Sequence, residues 1–283
     1  MITLKIKYSL FLVIVIQMTI NVAISGAKGF VGKNLRKFLL KHEINVIPIS
    51  TKNFQNNQFP SLKKSTHFIH LVGIGSESIN QKFEDVNVGA TKQIINLCKK
   101  NKIKKLIYLS GLGVSKNSRS SYLLSKFRAE QLIIKSAIDY TIFRPSYIIG
   151  RDDYLTKNIS KQIRKKCVYI PGKGNFLIQP IAIDDVCSCI KIALSSKKFS
   201  RKIIDLVGPN KITFKQLIRN STKSNIKLKK IELELAYYNA LNKSNFEYSI
   251  EDLNILIGSY IGSFTKLQKL SHLSFRKINS LNT

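Results

Sequence analysis

What this chain can fold into is constrained most by Gly26-x-x-Gly29-x-x-Gly32, because these glycines fall between a run that reads as a buried strand and a run that reads as a helix. Residues 20–25, INVAIS, are apolar and β-branched and stop at Gly26. Val31, Leu35, Phe38 and Leu39 then share one helical face, with Lys33, Arg36, Lys37 and Lys41 on the other. Strand, glycine turn and amphipathic helix in that order predict a phosphate-binding crossover. Gly26 permits the tight turn, Gly29 lets backbone approach a diphosphate, Gly32 lets the helix pack closely on the strand, and the helix N-terminus offers free N–H groups.

The same alternation continues downstream. Residues 67–72 (HFIHLV), 105–110 (KLIYLS) and 139–143 (DYTIF) read as strands, with helices over 88–99 and 122–137 between them. Strands separated by helices of this length predict βαβ units and a parallel sheet, hence an α/β, Rossmann-type doubly wound fold. Asn45–Ile49 supplies the second strand, although Pro48 is awkward in a sheet interior. With 283 residues, 44% hydrophobic, the chain can bury such a core. We expect residues 18–150 to form the dinucleotide-binding core and residues 151–283 a smaller substrate-side lobe and tail, interleaved with it.

Residues 1–17 read as an upstream extension or a mis-assigned start, with a membrane-associating segment as the alternative. The apolar run 10–16 is shorter than the roughly 20 residues that cross a bilayer. A signal-peptide cut at the nearby Ala23-Ile24-Ser25 would remove the first strand. Met18 stands just ahead of that strand.

The formal charge of +31 raises nucleic acid or anionic lipid as partners. Its lysines are scattered as doublets such as Lys63-Lys64 and Lys165-Lys166, with no basic run interleaved with aromatics, so a generally cationic, solvated surface is expected and a nucleic-acid partner is not. The four cysteines form no CxxC pair and meet no histidine cluster, so no metal site is expected, and Cys187 and Cys189 read as buried thiols. His67 and His70 fall in a strand and read as structural.

Several further stretches carry a family resemblance. GAKGFVG (residues 26–32) resembles the opening turn of the extended and atypical short-chain dehydrogenase/reductases, the NAD-dependent epimerase/dehydratase family. HFIHLVGI, Asn87-Val88-Gly89-Ala90-Thr91, KKLIYLSGLG, the Tyr122-x-x-x-Lys126 pair, TIFRPSYIIG, QPIAIDDV and LVGPNKITFKQL follow in that family's order over about residues 18–220. The subgroup it resembles includes the dehydrogenase-like accessory subunit of respiratory complex I and NmrA-like proteins.

The resemblance implies an NAD(P)-binding protein. It places cofactor contacts at Gly26, Gly29, Phe30, Val31 and Gly32; at Ser50, Thr51 and Lys52 after the second strand; at Val72, Gly73 and Asn87; and at Ser110, Tyr122, Lys126 and Pro145. In the family's chemistry Tyr122 exchanges a proton with substrate, Lys126 lowers the tyrosine pKa and holds the nicotinamide ribose, and Ser110 is the strand-end serine. The position that ordinarily polarises substrate is Leu112, with Ser115 and Ser118 as substitutes to be tested. Ser50-Thr51-Lys52 offers no carboxylate to a ribose 2′-hydroxyl, so NADP is favoured over NAD. Lys173, in the turn 171–175, is a candidate for holding an anionic substrate, and Asp184 and Asp185 read as helix N-caps, as does Thr213.

Two functions follow. One is oxidoreductase or epimerase chemistry on a hydroxyl or carbonyl compound. The alternative is a catalytically silent dinucleotide-binding subunit or redox sensor. The expected location is cytoplasmic, with peripheral membrane or protein-complex association as the variant.

Overall fold

A computed structural model describes residues 20–222 and 226–281, so the expectation for residues 1–17 lies outside the described residues. The chain first builds β1 (Asn21–Ser25), α1 (Phe30–Leu40), β2 (Asn45–Ile49), α2 (Thr51–Gln55) and β3 (His67–His70). A π-helical segment, Glu84–Gly89, runs into α3 (Ala90–Lys100), followed by β4 (Lys105–Leu109), α4 (Ser121–Ile134) and β5 (Asp139–Pro145). The chain then leaves the sheet through β6 (Ile148–Ile149), α5 (Tyr154–Arg164), β7 (Cys167–Pro171), β8 (Leu177–Ile178), β9 (Ile181–Ala182) and α6 (Ile183–Ser195). It returns with β10 (Lys202–Leu206), and continues with β11 (Ile212–Thr213), α7 (Phe214–Asn220), β12 (Lys227–Ile231), α8 (Leu233–Asn242), α9 (Ile250–Ile257) and α10 (Phe264–Ser271).

Six strands form one parallel sheet in the order β10-β5-β4-β3-β1-β2. After β1 the chain steps to one side for β2 and crosses back to the other for β3. The order therefore reverses between β1 and β3, which opens a crevice beyond their carboxyl ends. β2 is the outermost strand and pairs with β1 alone. An edge strand has one side without ladder partners, which is why Pro48 is tolerated there.

Alternation along the strands divides the apolar residues between two faces. Val22, Ile24, Ile69, Ile107 and Phe143 meet Leu35 and Leu39 of α1 and Val186 and Ile190 of α6. Ala23, Phe68, Leu106, Tyr108 and Ile142 meet Ile94, Ile95 and Cys98 of α3 and Ala129 and Ile133 of α4. Sandwiched strands must be apolar on both faces, which accounts for the nearly unbroken runs INVAIS and KLIYLS. A separate cluster joins Ile149, Ile159, Val168, Phe214, Leu253 and Leu256 around the parallel pair β7–β12.

The expected strands are met to within two residues at each end, and two helix boundaries differ from expectation. The helix expected over 88–99 is α-helical only from Ala90, because the π-helical segment precedes it. The helix expected over 122–137 stops at Ile134, and Ala137 takes a left-handed φ of 66° as the chain turns into β5. Asp184 and Asp185 are not caps. Ala182 occupies the cap position of α6 and the two carboxylates lie in its first turn, where they suit the positive end of the helix dipole and meet Arg276, through Asp184 at 3.8 Å and through the Arg276 N–H donated to Asp185 at 2.9 Å. Thr213 does cap α7, accepting the Gln216 N–H.

Candidate functional site

The crevice between β1 and β3 is made of backbone. Gly26 takes φ +71°, and a Cβ there would lie 2.9 Å from the Leu71 carbonyl carbon, so the turn after β1 is pressed against the turn after β3. A Cβ on Gly32 would overlap the Gly26 carbonyl oxygen and the Ala27 backbone, which is why α1 starts so close to the strand end. Gly29 differs from both. A Cβ there would meet only the Gly26 oxygen, at 3.3 Å, and otherwise face open space.

The end of α1 above this space is bare. Helices α4, α5, α7 and α9 are capped by side chains of Ser120, Asp153, Thr213 and Ser249. α1 begins at Gly29 with no side-chain cap and no acidic residue in its first turn. The first-turn N–H groups of a helix have no partner within it. Those of Phe30, Val31 and Gly32 are left without a partner inside the helix, next to Gly29, where a Cβ would face open space apart from the Gly26 oxygen, a fit for a diphosphate.

Around this cradle the other expected contacts divide into two groups. Ser50, at the end of β2, donates its hydroxyl and its N–H to Asn53 Oδ1, both at 2.7 Å, and so caps α2, with Thr51 and Lys52 exposed beside it. Gly73 follows Val72 in the turn after β3, and a Cβ on it would lie 2.8 Å from Lys126 Nζ and 3.1 Å from Asn87 Oδ1. Asn87 is buried in the π-helical segment, accepts the Ile74 N–H at 2.9 Å and donates to Ser125 Oγ at 2.8 Å. It thus ties the loop after β3 to α4.

On α4, Tyr122, Lys126 and Glu130 recur every four residues and share one face. Lys126 is buried, donates to the Leu109 carbonyl at 3.3 Å, and lies 5.0 Å from the Tyr108 ring centre and 5.9 Å from that of Tyr122. Burial lowers its pKa to about 8 against the opposing pull of Glu130. The expected depression of the tyrosine is not found. Tyr122 is pushed up to about 12, first by burial and then by the Glu251 carboxylate.

Ser110, the strand-end serine, has a partner of its own. Its Oγ donates to Glu130 Oε1 at 2.6 Å. Glu130, fully buried, is in turn gripped by Arg144 through Nε at 2.9 Å and Nη2 at 2.6 Å. Leu112 is buried and lines the same cavity as Ser110. Ser115 and Ser118 do not replace the missing hydroxyl: they accept the N–H groups of Asn117 and Ser120 and face a different hollow, with Tyr237 and Asn254. His67 and His70 read as structural, and His70 bridges β1 and α3 through Ser25 Oγ at 3.0 Å and Thr91 Oγ1 at 2.9 Å. Burial and the nearby Lys126 lower its pKa to about 3.

A cavity of about 180 Å³ opens beside Tyr122. Ser110, Gly111, Leu112 and Pro145 reach it from the ends of β4 and β5, Tyr147, Leu177 and Ile178 from the chain beyond, and Ile255 and Tyr260 from the tail. Lys173 is exposed and lines none of the hollows described. Sequence reasoning missed Glu130, Ile255 and Tyr260. Glu130 carried a signal, since it continues the four-residue spacing of Tyr122 and Lys126. Among the described residues no cluster of metal-ligating side chains occurs.

The arrangement can be compared with known proteins. The model of the NAD dependent epimerase/dehydratase family matches residues 22–206. A mitochondrial NADH dehydrogenase [ubiquinone] 1 alpha subcomplex subunit 9 from Arabidopsis thaliana is 31% identical over 160 residues, covering 55% of this chain and 40% of the relative. The chain thus matches less than half the length of that protein. A nucleoside-diphosphate-sugar epimerase from Staphylococcus aureus superposes with a TM-score of 0.73 at 13% identity, over 93% of this chain and all of the other. The NADPH-dependent quinone oxidoreductase of Escherichia coli, complexed with NADPH, gives 0.69 at 16% identity, over 91% of this chain and 97% of the other. These two structures share the fold. The family match spans well over half of the sequence and coincides with the sheet and its glycine crevice: this chain belongs to the NAD dependent epimerase/dehydratase family.

Proposed function

We propose that the chain binds a nicotinamide dinucleotide across the β1/β3 crevice and carries out oxidoreductase or epimerase chemistry on a hydroxyl or carbonyl compound beside Tyr122. The observation that carries this is the open space at Gly29, at the start of a helix without a side-chain cap. In this reading residues 18–150 hold the dinucleotide and residues 151–283 close the substrate side. The amides of Phe30, Val31 and Gly32 take the diphosphate. The turn formed by Val72 and Gly73, with Asn87 and Lys126 beneath it, carries the sugar next to the nicotinamide, and Pro145 borders the ring. The absence of a carboxylate at Ser50-Thr51-Lys52 leaves room for a 2′-phosphate, so NADP is the preferred form.

A bound nicotinamide supplies the hydride donor or acceptor. Tyr122, with its pKa near 12, is protonated at neutral pH and stands ready to donate to a carbonyl oxygen rather than to accept from a hydroxyl. Lys126 is predominantly charged at neutral pH and lends positive charge to the same region.

A second reading, the catalytically silent subunit, is favoured by one arrangement. Ser110 is committed to Glu130 and Leu112 is apolar, so the reacting oxygen would lack the second donor that stabilises its charge. The similarity to a subunit of mitochondrial NADH dehydrogenase supports association with a larger assembly in that case. Among the described residues no helix is long and apolar enough to cross a membrane.

Mass spectrometry and absorbance of the purified protein for retained dinucleotide, followed by NADPH and NADH titrations, test the binding. Loss of turnover in Tyr122→Phe with cofactor affinity kept would support the enzyme. Binding without turnover over a panel of carbonyl substrates would support the silent subunit.

A further inference from the structure

The pocket beside Tyr122 has an uncharged lining in a strongly cationic chain. The sequence holds 47 lysines and arginines, yet none lines this cavity. Leu112, Leu177, Ile178 and Ile255 wall it, with the rings of Tyr147 and Tyr260. Its volume, about 180 Å³, is below the usual 300–1,000 Å³ of a drug-sized site and suits a molecule of one or two rings.

Two hollows adjoin it: one shares Ser146 and Tyr147 with the first, and the other shares Tyr260 and is lined by Arg119. The hollow beyond Tyr147 has no lysine or arginine in its lining, and it contains Asp153 and Asp252. Both carboxylates are built into the fold. Asp153 caps α5 through the Thr156 N–H, and Asp252 accepts from Ser249 and from the Tyr154 hydroxyl at 3.1 Å. Phosphate recognition ordinarily relies on Arg, Lys or free helix N–H groups, and like charges facing each other reject a ligand. A diphosphate extending from the Tyr122 pocket past Tyr147 would meet two carboxylates and no cationic side chain lining that hollow.

We infer that this pocket admits a small, uncharged, apolar ketone, aldehyde or alcohol in preference to nucleoside-diphosphate sugars and phosphorylated substrates. The inference rests on the proposed placement of the reacting carbonyl beside Tyr122. Leu112 has a role in it: the side chain that removes a hydrogen-bond donor also completes the apolar wall. Lys173, exposed and away from the cavity, supplies no anion site.

The test uses the full chain, with and without saturating NADPH, and two probes, acetophenone and UDP-glucose, followed by ligand-observed NMR and calorimetry. Acetophenone is expected to bind, and Leu177→Asp to weaken it at least tenfold, with Leu177→Met within twofold of the parent. UDP-glucose is expected to show no binding at millimolar concentration. Ile255→Asn, on a different element, provides a second route to the same loss should Leu177→Asp not fold. Absence of acetophenone binding, acetophenone affinity indifferent to all these variants, or UDP-glucose binding in competition with it would overturn the inference. Failure of NADPH to bind, with acetophenone still dependent on Leu177, would remove the dinucleotide proposal and leave this one standing.

Discussion

The two ends of the candidate site are built from different materials. At the β1/β3 crevice the working surface is backbone: glycines whose side chains would collide or intrude, and a helix end left without a cap. Beside Tyr122 it is side chain, held by contacts from distant parts of the sequence, such as Ser110 with Glu130, Glu130 with Arg144, and the tail residues Ile255 and Tyr260 against the body. A backbone site is specified by local sterics and tolerates little variation. A side-chain site depends on long-range partners, and its chemistry changes whenever one of them is replaced.

That contrast sets the order of expected effects. Glu130→Ala strands the Arg144 guanidinium and the Ser110 hydroxyl, and breaking such a buried pair costs about 3–5 kcal/mol, toward the low end here because Arg144 is partly open to solvent. Denaturant unfolding measures it; a loss below about 1 kcal/mol would mean the network is not structural. Gly32→Ala drives a methyl into the Gly26 carbonyl and should destabilise by about 1–3 kcal/mol while removing dinucleotide binding. If it is neutral in both, close approach of α1 to β1 is not what Gly32 provides.

Two predictions concern pH. His70 has a folded pKa near 3 against about 6.5 in the unfolded chain. Between those values the unfolded chain binds a proton that the folded one excludes, so stability falls as pH drops through the window and is fully restored above it. His70→Asn should flatten that slope in acid denaturation. Lys126 behaves likewise at the alkaline end. With its folded pKa at about 8 and an unfolded value of about 10.4, the cost of burying its charge is fully present below pH 8 and relieved as pH rises toward 10.4. Lys126→Met should remove this rise and, near neutral pH, stabilise the ligand-free chain. Unchanged pH profiles in both variants would contradict the burial assigned to these side chains.

The sheet and the cradle were legible in the sequence for the reason that makes them robust. INVAIS, the glycines and the α1 face are contiguous, and their spacing alone fixes strand, turn and helix. The edge position of β2 was visible only as the oddity of Pro48, since sheet order is a non-local property. Tyr122 and Lys126 could be found through the family resemblance, but the effect of one on the other could not. Where the Lys126 ammonium points depends on the Leu109 carbonyl, seventeen positions away, and the raised pKa of Tyr122 owes its second contribution to Glu251. The Ser110–Glu130–Arg144 chain was hidden because each member alone reads as an ordinary surface-prone residue. The caps at Asp184 and Asp185 were misplaced by two or three positions, an error that matters little to the dipole they serve.

The account stands on backbone amides at Gly29 and the start of α1 holding a diphosphate. An amide-resolved NMR titration of the chain with NADPH, repeated on Gly29→Ala, addresses it most directly. The account predicts large shifts confined first to the amides of residues 29–32 and an affinity loss of about tenfold, near 1.4 kcal/mol, in a variant that remains folded. NADPH binding that leaves those amides unmoved, or that is indifferent to the added methyl, would contradict it.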